Sequence, residues 1–187
     1  MIRVKVEMSR IMEGMPAVIQ RIKEEAAQIL LHSVLEIFQN QGLPNEPWKE
    51  LSQFTIGKKH SRSILIDKGM LMNSIMAGPV TEGQPVEVGI FGGPTIEYAW
   101  IHEFGAEIPV TDAMRSFFKA KTIQERQTKP KLPPDQYQWY PLKEDTEVIS
   151  IPPRPYLRWG AKLADPKIQE MAQRYWHAYL ATGLVEA

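Results

Sequence analysis

The chain has 187 residues, 43% of them hydrophobic, and its 22 basic residues are balanced by 22 acidic ones. That length suits one domain with an elaboration, and a net charge of zero argues against a dedicated nucleic-acid binder, which is usually basic. Having no cysteine excludes a disulfide framework and fits a reducing compartment; no apolar run approaches the roughly 20 residues a membrane-spanning helix needs.

The opening segment, MIRVKVEMSR, lacks the apolar centre of a signal peptide. Ile2, Val4, Val6 and Met8 alternate with Arg3, Lys5 and Glu7, which predicts a half-buried strand. Gly14 and Pro16 then open a helix expected over 16–41, with proline tolerated in the first turn and Gly42 as the stop. Ile19, Ile22, Ala26, Leu30, Val34 and Phe38 recur at helical spacing; Glu25, Gln28, His32, Glu36 and Gln39 form the polar stripe. The polar stretch 43–69 reads as a loop anchored by Trp48, Leu51 and Phe54. Its basic cluster, Lys58, Lys59, His60 and Arg62, reads first as a solvated loop and second as a phosphate or nucleic-acid contact. Asp67 is placed to cap a short helix running towards Met76. Residues 73–92 read as two antiparallel strands turned at TEGQP, and GIFGGP lacks the Gly-Lys-Ser/Thr ending of a phosphate loop.

The segment YAWIHEFG, 98–105, holds the one pair that invites a metalloenzyme reading. A zincin needs His-Glu-x-x-His, so that two imidazoles one turn apart share the metal. The second histidine would stand at 106, which is Ala106, and His32, His60 and His177 are each alone in their segments. The plainer expectation is a helical turn with Tyr98, Ile101 and Phe104 packed inward, and with His102 neither catalytic nor a metal ligand.

An excursion follows. VTDAMRSFFKAKTIQERQ carries a Thr/Asp start signal and Met114, Phe117, Phe118 and Ile123 on roughly one side, which predicts a helix. The proline-rich 129–145 is expected to be extended. From 113 to 131 there are six basic residues and one acid; from 135 to 147 there are four acids and one base. A strand is expected at 147–151, and PPRP then enforces an extended backbone. For Arg154, held in that stiff segment, two readings stand: a contact to another subunit or to nucleic acid, and a local salt bridge. Asp165 and Pro166 are expected to open the last helix, with Ile168, Met171, Ala172, Tyr175 and Tyr179 on its apolar face and Gly183 closing it.

Five segments taken in order, PWKELSQFT with a lysine after it, ILIDKGMLMNSI, VEVGIFGGPTIEYAWIHEFG, IPVTDAMRSFF and ISIPPRPYL, resemble the virion morphogenesis or tail-completion proteins of Mu-like phages and prophages. The resemblance covers roughly residues 10–160. It departs at Pro153, where the family more often has alanine, and at 124–143, which is longer than expected. The resemblance implies a structural, non-enzymatic protein of the virion, made in the host cytoplasm and acting in tail completion or head–tail joining. It implies a ring-like homo-oligomer, expected to be hexameric, with head-connector and tail-tube proteins as neighbours, incidental DNA contact in the channel, and no cofactor, metal or membrane.

The reading as a whole is one α+β domain over 1–187. An antiparallel sheet is expected from the N-terminal strand, 76–91 and 147–151, with the long N-terminal helix across it, an extended arm at 106–158 and a C-terminal helix. The candidate subunit interface is Arg115, Phe117, Phe118, Lys121, Tyr137, Trp139 and Tyr140 on the arm, with Arg154 at its base. The alternatives are a nucleic-acid binder using 58–62 and 113–131, whose affinity would fall steeply with salt, and, far behind, a hydrolase using His102 and Glu103.

Overall fold

The computed structural model describes residues 8–51, 55–56, 63–128, 142 and 145–182. In chain order its main elements are α1 (Met8–Asn40), β1 (Gly42–Leu43), β2 (Glu46–Pro47), α2 (Met70–Asn73), β3 (Met76–Ala77) and β4 (Val88–Gly89). They continue with α3 (Thr95–Phe104), β5 (Ala106–Pro109), α4 (Asp112–Thr128), β6 (Val148–Ile151) and α5 (Leu157–Thr182). The fold class is α+β: a long N-terminal helix packed on short antiparallel strands, and a C-terminal helix.

Helix α1 spans 33 residues, about 50 Å at 1.5 Å per residue. It begins before the expected start, with Pro16 inside it. Pro16 is exposed, and at its position the helix forgoes the bond that a proline nitrogen cannot donate. The strand expected at 2–8 lies outside the described residues, except for Met8, which is helical.

The principal partner of α1 is α5. The two run antiparallel: Lys167 Nζ meets Glu36 Oε2 at 3.0 Å, and the Tyr175 hydroxyl donates to Glu25 Oε2 at 2.8 Å. Gly160 lets the backbones close, since a Cβ there would lie 2.7 Å from Val34 Cα. A core of Val34, Ile37, Phe38, Trp48, Ile64, Leu71, Ile75, Ala99 and Tyr156 fills the space between α1, the hairpin segments and α3. Phe38 is its centre, edge-on to Trp48 at 5.6 Å and tilted against Tyr156 at 5.0 Å.

A short hairpin, β1–β2, stands at the start of the stretch read as a loop, and the strands differ from expectation in their pairing. They do not join in a single sheet but form three separate two-stranded antiparallel ladders among the described residues, β1–β2, β3–β4 and β5–β6. Strand β6 pairs with β5, a segment whose four residues carry no strand signal of their own, in the register Ala106↔Ile151 through Pro109↔Val148. Helix α2 is also shorter than expected. Gly69, with φ +74°, holds its N-cap position, and Asp67 lies outside the helix.

Candidate functional site

The conspicuous pair of the sequence has a definite structural position. Helix α3 turns Thr95, Ala99 and Glu103 inward, and Glu103 is only 3% exposed. Its carboxylate sits on the N-terminus of α5. Oε2 accepts from the backbone amides of Tyr156 at 2.8 Å and Leu157 at 3.0 Å, and Oε1 from that of Arg158 at 3.1 Å. The Arg158 guanidinium completes the arrangement, with Nε donating to Oε1 at 3.0 Å and Nη2 to the Glu103 carbonyl at 2.8 Å. A helix start leaves its first amides without intrahelical partners and carries partial positive charge; Glu103 answers both from a distant part of the chain. This is why α5 begins at Leu157 rather than at Asp165, where local cap residues point. Asp165 instead accepts from Gln169 Nε2 at 3.0 Å, and Pro166 lies within the helix.

Further bonds fasten the same two segments. The Arg154 amide donates to the His102 carbonyl at 2.7 Å, and the buried Tyr156 hydroxyl donates to Ala99 O at 3.2 Å. Burial, and after it the nearby Glu103 carboxylate, raises the pKa of Tyr156 above the ordinary tyrosine value. Gly105, at φ +79°, ends α3 where a Cβ would lie 2.9 Å from the Ile151 carbonyl. IHEFG and IPPRPYLR are therefore two halves of one lock. His102 is part of that lock, and among the described residues no cluster of three or more potential ligands is placed to hold a metal ion.

The expected inward packing of Phe104 is corrected. Tyr98 and Ile101 are half-buried, but Phe104 is 46% exposed. Committing Glu103 to the interior sends the adjacent column of the helix to solvent. Ile96, Trp100 and Phe104, spaced i, i+4, i+8, form an exposed stripe, with Trp100 67% exposed. Trp100 stacks on Phe104 at 4.2 Å between centroids, and the Arg158 guanidinium lies over the Phe104 ring at 4.8 Å. Sequence reasoning missed this stripe: the apolar spacing was visible, but it signals a buried face as readily as a displayed one.

The structure brings Arg115, Phe117, Phe118 and Lys121 together on α4 and leaves Arg154 apart from them. None of the described side chains of α4 is buried, and no other described element packs along it. Phe117 is 54% exposed, meets Phe118 at 5.5 Å and carries the Lys121 ammonium 5.1 Å above its ring. Arg115 Nη2 donates to Thr146 O at 2.7 Å, which ties the start of α4 to the approach of β6. Tyr137, Trp139 and Tyr140 lie outside the described residues, as do Lys58, Lys59, His60 and Arg62.

Arg154 is buried, 6% exposed. Its Nη2 donates to Lys49 O at 3.3 Å, while Nε finds no acceptor among the described residues. The local salt bridge considered for it is not found among the described residues, and burial lowers its pKa from the ordinary arginine value. It lines a cavity of about 690 Å³ with Lys49, Glu50, Asp67, His102 and residues 149–151 of β6.

Compared with family models, with curated proteins and with solved structures, the chain matches none.

Proposed function

We propose that this chain is a structural phage assembly protein that acts in tail completion or head–tail joining as a self-associating, ring-forming component. The observation that carries the reading is the state of α4. It is an amphipathic helix fixed at its base by the β5–β6 ladder and by Arg115, and it leaves Phe117 and Ile123 about half exposed. A solvated helix with displayed aromatics suits a contact surface. The role of Glu103 as the cap of α5 gives the His-Glu pair an architectural explanation and so favours assembly over hydrolysis. The resemblance to virion morphogenesis proteins supplies the setting, with connector and tail-tube proteins as the neighbours.

The test is electron microscopy of particles made without this protein. Full heads beside free tails are the expected result; absent or overlong tails would reassign the protein to control of tail length, and normal infectious particles would remove the reading.

A second reading, DNA contact, is favoured by Lys119 and Lys121, both exposed on α4. It requires duplex binding whose affinity drops steeply between low and moderate salt.

A further inference from the structure

We propose that the Ile96–Trp100–Phe104 stripe of α3 is the docking surface for helix α4 of a second copy of this chain. The inference rests on the self-associating reading above and names the receptor that reading lacks.

The stripe is a pre-assembled platform. Glu103 holds Arg158 by two hydrogen bonds, Arg158 covers one face of Phe104, and Phe104 stacks with Trp100. Side chains already fixed lose little entropy when a partner arrives, and tryptophan and arginine are the types that dominate interface energetics. From Ile96 to Phe104 the stripe runs about 12 Å along the helix axis, well within the roughly 25 Å of the 17-residue α4.

Charge selects the occupant. Helix α3 carries two acids, Glu97 and Glu103, and no lysine or arginine; residues 112–128 carry four basic and two acidic side chains. Glu103 is already paired with Arg158, the cation at the Phe104 end, so the exposed Glu97 sets the sign of the α3 surface. Two α3 helices packed in parallel would oppose their Glu97 side chains, and two α4 helices would oppose their lysines near mid-helix. An α3 face against an α4 face instead sets Glu97 towards Lys119 or Lys121 while Phe117 and Ile123 cover Trp100 and Ile96. Within one chain α4 does not pack along α3, because β5 leads away from the end of α3 into its ladder with β6. The contact is therefore between copies and heterologous. Each chain offers one helix and receives another, and repetition of such a contact closes into a ring when its rotation permits.

The experiment uses two single substitutions at exposed positions, Trp100→Asp and Phe117→Asp, in the full chain. Each is checked for native helix content and melting temperature, then measured by light scattering after gel filtration, alone and as an equimolar mixture. The wild type is expected as an oligomer and each variant alone at the monomer mass of 21.4 kDa. The mixture is expected at twice that mass and no more, because the intact α4 of the Trp100→Asp chain can dock on the intact α3 of the Phe117→Asp chain and nothing can extend the pair. Either variant alone keeping the mass of an oligomeric wild type overturns this inference and leaves the ring reading intact. A mixture that stays monomeric also overturns it. A monomeric wild type removes the ring reading and this inference together.

Discussion

Glu103 sits where three backbone amides and one guanidinium converge, and its replacement separates two roles. The amides of Tyr156, Leu157 and Arg158 lose their acceptor in Glu103→Ala, two of them at buried or half-buried residues. The expected loss is about 3 kcal/mol of unfolding free energy, from a missing cap together with desolvated donors. Arg158→Ala removes only a side chain that is 55% exposed, so its cost in denaturant melts should be clearly smaller. Equal losses would mean that the ion pair rather than the helix cap carries the lock. Tyr156 gives a pH signature at the same place. Its raised pKa keeps the phenol protonated in the folded chain while the unfolded chain ionises near pH 10. Above that pH the unfolded state binds fewer protons, so the contribution is fully present below it and is lost as pH rises. Tyr156→Phe should therefore cost about 1 kcal/mol at neutral pH, through the lost bond to Ala99 O. It should also flatten the fall of Tm as pH rises above about pH 10. The slope that remains belongs to groups such as Tyr175, whose pKa is raised by its hydrogen bond to Glu25.

Among the elements, the antiparallel contact of α1 with α5 is where intrinsic propensity and packing disagree. Alanine at 160 would favour the helix by about 1 kcal/mol in isolation. In the folded chain its Cβ would meet Val34 Cα at 2.7 Å, a backbone atom with no freedom to turn aside. Overpacking of this kind costs about 1–3 kcal/mol, so with the propensity gain subtracted Gly160→Ala should destabilise by up to about 2 kcal/mol in chemical denaturation. A stabilised variant would show that the two helices can separate without loss. The β5–β6 ladder is the opposite case: its register depends on a partner some forty residues away, and β5 has no alternation long enough to announce itself.

At the scale of the molecule, the core and the candidate contact surface are separable. Among the described residues, the cluster around Phe38 and the α1–α5 pair use no side chain from 113–128. A chain in which 113–143 is replaced by a short Gly/Ser linker should keep its cooperative melt and its α1–α5 helix content. In light scattering it should fall to monomer mass, and it should no longer restore head–tail joining in a complementation assay. A deletion protein with the wild-type mass and full complementation would place the assembly surface elsewhere.

The sequence by itself located several elements, though not all their ends: the body of α1 from the spacing Ile22, Ala26, Val34, Phe38, helix α4 from its Thr/Asp start, and β6 from its apolar run before a proline segment. The zincin motif is incomplete in the sequence itself, because the position one turn after His102 is Ala106. These are short-range properties, set by residues within a turn or a strand of each other. Tertiary structure decided the rest. The start of α5 could not be read locally because its cap, Glu103, lies more than fifty residues upstream. The strands could not be sorted into ladders because pairing is chosen by distant partners rather than by alternation. The exposure of Trp100 and Phe104 could not be foreseen because an apolar stripe does not state which side of a helix is committed inward. Here that side was fixed by a charge seeking the positive end of another helix.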